Sequence, residues 1–244
     1  MRKMLFVFGI LLLFLSCKNT QCSSSAELLV VKSTSNDGEK SQAMVEFLTP
    51  FRTKLSEKMD VRLATSAQIM TADRPESLLS NLICDVLLKK ANKYLKTDFS
   101  IYNIGGLRNA LPQGDVYLRT IYEILSFDNQ LVILSLLGED VDKLCQSIAR
   151  VGGEGVAGIS FYIENGIAKD IRIQNIPLDK SRIYHIATND YLSLGNDKME
   201  PLANHTDIVY LNLKVRDIFV DYIVDLESRG EVISSKLDGR IYKK

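Results

Sequence analysis

The chain has 244 residues, of which 46% are hydrophobic and 25% are charged. This length and this apolar content suit one globular domain with a sizeable core, or at most two small ones. Basic and acidic residues are balanced at 30 each, so the formal net charge is zero. The balance argues against a nucleic-acid partner, because such proteins cluster Lys and Arg on one face.

The first residues form a pattern typical of an export signal. Arg2 and Lys3 precede an apolar run from Met4 to Leu15, which is too short to span a bilayer comfortably. The run ends in Leu-Phe-Leu-Ser-Cys at 13–17, a pattern similar to a bacterial lipoprotein cleavage site. We therefore expect a signal peptide at 1–16 and lipidation of Cys17. The alternative is an ordinary signal peptide cut at about 22–25.

Either interpretation places the mature protein outside the cytoplasm. A lipid on Cys17 would anchor it to the bacterial cell envelope without a transmembrane helix, because each buried CH₂ contributes about 0.8 kcal/mol. The polar, serine-rich stretch at 17–26 indicates a flexible tether. A single domain is then expected over 27–244. Within that domain, Cys84 and Cys145 lie in apolar runs and are predicted to be small buried hydrophobes.

The periodicity of the apolar residues predicts helices and strands in mixed order. Helical spacing is found at 44–59 (with Pro50 inside), 76–95, 138–149 and 215–226, and a short helix with Thr120 as N-cap is predicted at 120–125. Strand-like or extended runs are found at 27–32, 61–70, 99–102, 130–137, 159–164, 167–173, 183–188 and 239–242. Asn165-Gly166 is typical of a tight hairpin turn. Because strict βαβ alternation is absent, the pattern favours an α+β domain.

The fragment Asn103-Ile-Gly-Gly-Leu-Arg108 follows the run at 99–102. Gly105 and Gly106 permit backbone conformations closed to other residues and allow a ligand close to the main chain. Arg108 offers a planar fork of donors to phosphate or ribose oxygens, and Asn103 offers a donor and an acceptor to a base edge. The alternative is a tight turn with a solvated arginine.

Three further fragments accompany it: Glu-Ser-Leu-Leu-Ser-Asn-Leu-Ile-Cys-Asp at 76–85, Leu-Ser-Phe-Asp-Asn at 125–129, and Thr-Asn-Asp-Tyr-Leu-Ser-Leu-Gly-Asn-Asp at 188–197. In this order the fragments resemble the C-terminal, substrate-binding domain of the 5'-nucleotidases, over about 60–199. The resemblance implies a layered α/β/β/α arrangement. It also implies that Phe127 and Tyr191 sandwich the nucleobase, and that Asp197 accepts hydrogen bonds from the ribose hydroxyls. The alternatives are core aromatics and an exposed turn aspartate.

The chain departs from the family pattern at several positions. Ile104 replaces the first of three glycines, and Asn196 and Lys198 replace the glycines around Asp197, where Lys198 is placed to pair with the carboxylate. Arg74 is a weaker candidate for phosphate contact, because it lies one residue before the position at which the family can have arginine. Asn81 is expected to pack or to form local hydrogen bonds.

The resemblance assigns catalysis to a metallophosphoesterase domain, which holds two metal ions with several His, Asp and Asn ligands. This chain has two histidines: His185 in a strand-like run, predicted to be structural, and His205 in a loop. The glycine-rich stretch at 151–158 precedes a strand and predicts a hairpin loop, since phosphate loops precede helices. We therefore expect no catalytic residue and no cofactor in this chain, with divalent metal held only in a separate partner chain.

The leading hypothesis is the nucleotide- or nucleoside-binding half of a 5'-nucleotidase-type hydrolase, working with a separate metallophosphoesterase chain. The binding residues would be Asn103, Gly105, Gly106, Arg108, Phe127, Tyr191 and Asp197. A second hypothesis is a solitary nucleoside-binding lipoprotein for salvage. A third is a relic or interaction module that binds no ligand.

Overall fold

The computed structural model describes the backbone of residues 42–244 and the side chains from Met44 onward. The predictions for the signal peptide, Cys17, the tether and the strand at 27–32 lie outside the described residues. Contacts divide the chain into units 1–48 and 49–244. The first unit is described only from Gln42, where it consists of helical residues. The site described below lies entirely within the second.

The described helices are α1 (Gln42–Met59), α2 (Leu78–Ala91), α3 (Leu118–Ile124), α4 (Gly138–Val151), α5 (Asp190–Ser193) and α6 (Val215–Ser228), with 3₁₀ turns at Ile104–Gly106 and Glu200–Asn204. The described strands are β1 (Arg62–Ser66), β2 (Phe99–Tyr102), β3 (Gly114–Tyr117), β4 (Gln130–Leu137), β5 (Gly155–Ala157), β6 (Ile159–Glu164), β7 (Ile167–Ile173), β8 (Ile176–Pro177), β9 (Ile183–Asn189), β10 (Asp207–Lys214) and β11 (Ile241–Lys243). None of the described helices is long and apolar enough to cross a membrane.

The central sheet has the strand order β10-β4-β9-β2-β5. In it β2 runs parallel to β9 and antiparallel to β5, and β4 runs antiparallel to β9. A second sheet has the order β11-β6-β7-β8, and β1 pairs with β3 in a two-stranded sheet. The arrangement confirms the predicted α+β class.

The nearly unbroken apolar sequence of β4 fits its place inside the sheet, between β10 and β9, because both of its faces are buried. Leu131 and Ile133 join a core that contains residues of α2, α3 and α6. Val132 and Leu134 join a core on the other face, formed with α4 and the second sheet. Alternate side chains of one strand therefore connect two separate cores.

Several element boundaries differ from the prediction. Helix α3 begins at Leu118, with Tyr117 as its N-cap residue, so the predicted cap Thr120 lies inside the helix. The reason is that β3, which was not predicted, runs directly into the helix and holds Tyr117 extended. Strand β10 was also not predicted. It is one of the two edge strands of the central sheet. Its register is irregular and Asn212 has φ 54°, so it has no regular alternation to detect.

Candidate functional site

A cavity of about 350 Å³ opens at one edge of the central sheet. Because β2 and β9 are parallel neighbours, their carboxyl ends meet at this edge, and the loops that follow them come together there. The antiparallel β4 begins at the same edge, which brings in the loop before it. The cavity is lined by Asn103, Gly105, Arg108, Phe127, Asn129, Tyr191 and Asp197.

Six of the seven predicted binding residues therefore line one cavity, although they come from three distant segments. Gly106 was predicted but does not line the cavity, whereas Asn129 lines it and was not predicted. We call residues 103–108, which follow β2, the pocket loop.

Phe127 and Tyr191 are 51% and 41% exposed, respectively, although both line the cavity. This exposure contradicts the alternative that they are core aromatics. Each ring therefore offers an accessible apolar surface to a ligand, which is what stacking on a planar heterocycle requires.

Hydrogen bonds connect the polar side chains of the cavity. The Asn103 side-chain amide donates to Asp197 Oδ2 at 2.7 Å, and the Tyr191 hydroxyl donates to Asp197 Oδ1 at 2.9 Å. The bond to Asp197 raises the pKa of Tyr191. Among the described residues Lys198 forms no ion pair with Asp197, which was the pairing that the sequence left open. Asn103 and Tyr191 hold the carboxylate instead.

Asn189 is a positioning residue that is not among the predicted binding residues. It is fully buried at the end of β9. Its side-chain oxygen caps α5 by accepting from Leu192 N at 2.7 Å, and its side-chain amide donates to Asn103 Oδ1 at 3.1 Å. The signal available in the sequence is an Asn directly before a short helical segment, which is typical of an N-cap.

The two glycines of the pocket loop differ in what surrounds them. A Cβ on Gly105 would lie 3.6 Å from Asp197 Oδ2, an ordinary contact inside the cavity. A Cβ on Gly106 would lie 3.0 Å from the Tyr102 ring and 3.1 Å from Asn103 Oδ1. Neither glycine has a positive φ, so the prediction that they supply unusual backbone conformations is wrong. Gly106 is needed for close packing on Tyr102.

Arg108 lies on the rim of the cavity and is exposed. Its backbone N–H donates to Ile124 O at 2.9 Å, and its Nη1 donates to Gly105 O at 3.2 Å. The pocket loop is thus tied to the end of α3, and the guanidinium lies over the loop where an anionic group of a ligand could reach it.

The loop that carries Phe127 is held by a buried cation. Arg216 is 6% exposed and donates to Leu125 O at 2.9 Å and to Asp128. Lys214 donates to the other Asp128 oxygen at 2.8 Å. Hydrogen bonds from Lys214 and Arg216 hold the pKa of Asp128 below its usual range. The loop is therefore held on both sides of Phe127, at Leu125 and at Asp128.

Arg74 does not line the cavity. It forms an ion pair with the buried Glu154 and donates through Nε to Gly153 O at 2.8 Å. The Glu154 carboxylate in turn accepts from Ile104 N at 2.6 Å. Glu154 lies in the glycine-rich stretch that was predicted to be only a hairpin loop, so its contact with the pocket loop was missed.

The remaining candidates have structural roles. Cys84 and Cys145 are buried, as predicted, and burial raises the pKa of both thiols. His185 lies in β9 with Nδ1 3.2 Å from Ser135 Oγ. Asn81 donates to Glu76 and to Lys236 O. Between residues 44 and 244, no group of three or more His, Cys, Asp or Glu side chains is arranged to hold a metal ion.

The 5'-nucleotidase C-terminal domain model matches residues 56–204. That is more than half of the chain. The chain belongs to this family.

Similar proteins agree with the assignment. Protein UshA of Escherichia coli is 22% identical over 210 residues, which are 84% of this chain and 37% of UshA. A 5'-nucleotidase of Vibrio parahaemolyticus is 25% identical over 192 residues, 75% of this chain and 34% of that protein. The trifunctional nucleotide phosphoesterase YfkN of Bacillus subtilis is 26% identical over 242 residues, 91% of this chain and 16% of YfkN. The chain thus matches at most about a third of these relatives.

The crystal structure of a 5'-nucleotidase precursor from Thermus thermophilus has the same fold. It superposes with a TM-score of 0.71 at 23% identity, covering 82% of this chain and 42% of that one. A 5'-nucleotidase structure from Staphylococcus aureus superposes with a TM-score of 0.67 at 16% identity, covering 80% and 43% of the two chains. At these identities the likeness establishes the fold alone.

Proposed function

We propose that this 5'-nucleotidase C-terminal domain binds a nucleotide or nucleoside in the cavity beside the pocket loop. The observation that carries the proposal is the joint presence of two exposed rings, Phe127 and Tyr191, with polar groups of Asn103 and Asp197 in one cavity. Stacking on such rings contributes about 1–3 kcal/mol per base in single-strand binders.

Each polar group has chemistry suited to one part of the ligand. The Asp197 carboxylate only accepts hydrogen bonds, which suits the paired hydroxyls of a ribose. Arg108 presents a cation on the rim, which suits a phosphate. Asn103 lines the cavity with its amide bonded to Asp197 and Asn189, so it would hold the Asp197 carboxylate in place for the sugar.

We further propose that hydrolysis takes place at a metallophosphoesterase unit outside the described residues, placed beside this cavity as a separate chain. The similar proteins include 5'-nucleotidases about three times as long as the matched part, which leaves room for such a unit in them. The two metal ions would belong to that unit, where they would stabilise the attacking and leaving oxygens. The residues of this chain would bind and orient the nucleotide.

Ligand-dependent thermal stability of the full chain tests the binding proposal. Adenosine, AMP, other nucleosides and UDP-glucose would be compared. A ligand at 100 times its dissociation constant adds about 2.7 kcal/mol to the folded state. We expect the stabilisation to disappear in a Phe127→Ala, Tyr191→Ala double variant. It should persist in the matched control Tyr94→Ala, Tyr210→Ala, which removes two exposed rings outside the cavity. A well-folded protein that no ligand stabilises would overturn the proposal.

Mixing tests the catalytic proposal. Phosphate release from AMP would be measured with metallophosphoesterase chains alone and together with this chain. We expect a gain that the Phe127→Ala, Tyr191→Ala variant does not give. No gain with any such chain, in spite of demonstrated nucleotide binding, would contradict the two-chain arrangement.

We also propose export and lipid anchoring through Cys17, on the sequence pattern at 13–17. Expression in a bacterial host with a radiolabelled fatty acid should label the wild type but not Cys17→Ser. Labelling of both, or of neither, would contradict the proposal.

A further inference from the structure

The pocket loop is attached to a buried carboxylate beside another strand. Strand β5 pairs with β2 so that Gly155 lies opposite Tyr102. The residue before β5, Glu154, is therefore placed beside the residue at which the pocket loop begins. Its side chain reaches the loop, and one carboxylate oxygen accepts from Ile104 N at 2.6 Å.

Because the Glu154 carboxylate is buried, it depends on the hydrogen-bond donors around it. Glu154 is 3% exposed, and taking a carboxylate out of water is costly unless donors surround it. Here two donors surround it, Ile104 N and the Arg74 guanidinium, which pairs with the other oxygen. The carboxylate thus joins the pocket loop to the segment that leads into α2.

The backbone around Glu154 leaves it little freedom. Gly153 has φ +125°, and a Cβ at that position would lie 2.3 Å from Pro75 O and 2.4 Å from Pro75 Cα. The chain at Gly153 is therefore pressed against Pro75, and Arg74 Nε is bonded to Gly153 O. The backbone at both ends of the Arg74–Glu154 pair is therefore closely packed and hydrogen-bonded.

We infer that Glu154 is a positioning residue for ligand binding, which holds the pocket loop so that Asn103 and Gly105 face the cavity. The inference rests on the proposed function, because the ligand is the nucleotide or nucleoside proposed above. It adds a residue that lies outside the cavity lining and acts through the Ile104 amide. Arg74, whose side chain is partly exposed, acts through Glu154.

Two readouts on the full chain test the inference: hydrogen–deuterium exchange at the Ile104 amide, and the dissociation constant for adenosine and AMP. In Glu154→Ala we expect the amide to exchange at least about tenfold faster and the dissociation constant to rise about tenfold, because a hydrogen bond to a charged group is lost. Glu154→Gln keeps an acceptor for Ile104 N. It should stay within about threefold of the wild type in both readouts.

Asp98→Ala is the matched control. Asp98 is also a buried carboxylate that accepts a backbone amide, His185 N at 2.8 Å, and pairs with an arginine, Arg182. It lies at the other end of β2, so we expect lower stability without a selective change at Ile104 or in affinity.

If Glu154→Ala does not fold, the double variant Glu154→Met, Arg74→Met removes the acceptor together with both charges and keeps the volume. Unchanged affinity in either folded variant, or exchange at Ile104 that changes only as it does in Asp98→Ala, would overturn the inference. A wild type that binds no nucleotide would instead refute the proposed function. The exchange measurement would then still decide whether Glu154 holds the pocket loop.

Discussion

The two ends of β2 are held by the same chemical arrangement, but only one of them borders the cavity. At the start of the strand, the buried Asp98 accepts from His185 N and pairs with Arg182. At its end, the buried Glu154 accepts from Ile104 N and pairs with Arg74.

The difference lies in the amide that each carboxylate holds. His185 belongs to β9, so Asp98 fastens one strand of the sheet to its neighbour. Ile104 belongs to the pocket loop, so Glu154 fastens a segment that no strand supports. A buried carboxylate–arginine pair is thus not a sign of function by itself, and its position relative to the cavity decides what it does.

The largest expected effect comes from the glycines on either side of β5. A methyl group on Gly153 (φ +125°) would lie 2.3 Å from Pro75 O, and one on Gly158 (φ +79°) would lie 2.7 Å from Asp98 O. We expect Gly153→Ala to cost about 3–4 kcal/mol of unfolding free energy and Gly158→Ala about 2–3 kcal/mol, from overpacking and backbone strain. Denaturant unfolding measures both. A cost under about 1 kcal/mol for Gly153→Ala would show that Pro75 can move.

The second effect is confined to the cavity end of β2 and depends on pH. Burial raises the pKa of Tyr102 to about 12 from 10.0, against hydrogen bonds from Asn129 and Asn189 that lower it. Because the pKa of Tyr102 is higher in the folded state, its neutral hydroxyl contributes its full stabilisation below pH 10. That contribution is lost as the pH rises toward 12. The shift corresponds to about 2–3 kcal/mol.

Unfolding by urea at pH 9 to 12 measures this loss. Tyr102→Phe should reduce it, whereas Tyr94→Phe, on an exposed ring, should retain it. Identical pH dependence in wild type and Tyr102→Phe would contradict the assignment. At the other end of β2 the buried ring belongs to Phe99. Since it has no hydroxyl, it contributes no such pH dependence.

The third effect compares the two arginines directly. Arg74→Met and Arg182→Met each leave a buried carboxylate without its cation, and we expect each to cost about 2 kcal/mol. Only Arg74→Met should also weaken nucleotide binding. Adding Glu154→Gln to the first and Asp98→Asn to the second should recover most of the stability, since the unpaired charge is removed. Additive losses in these double variants would show that the pairs are not coupled.

The smallest effect concerns backbone strain in turns near each end of β2. Lys198 (φ +65°) follows Asp197 in the cavity turn, and Asn175 (φ +65°) lies beside Gln174, which contacts Asp98 O. Lys198→Gly should stabilise the protein by about 0.5–1 kcal/mol, because a left-handed conformation is costly for a lysine. Asn175→Gly should give less, since Asn tolerates this conformation. Thermal unfolding checks both, and a lower melting temperature for Lys198→Gly would contradict the strain argument.

Local patterns predicted the elements whose own residues determine them. The ranges 99–102 and 130–137 match β2 and β4 in full, because both strands are apolar runs buried on both faces. Helix α4 was predicted because acids stand in its first turn, and it ends with Gly152 at φ 91°. The start of α3 and the edge strand β10 depend on neighbouring strands, and the prediction of both failed.

In the candidate site, too, some residues could be predicted from local sequence and others only from the fold. The family and six of the seven residues that line the cavity could be predicted from the amino-acid order alone, because a ligand must meet residues of particular chemistry and these stand in recognisable fragments. The residues that hold those side chains in place emerged only from the folded arrangement. Asn189 reaches Asn103 across 86 positions and Glu154 reaches Ile104 across 50, and such bonds exist only after the strands have paired. The N-cap pattern at Asn189 indicates only its own helix, and Glu154 stands in none of the recognised fragments. Neither contact with the pocket loop could therefore be predicted from the local sequence.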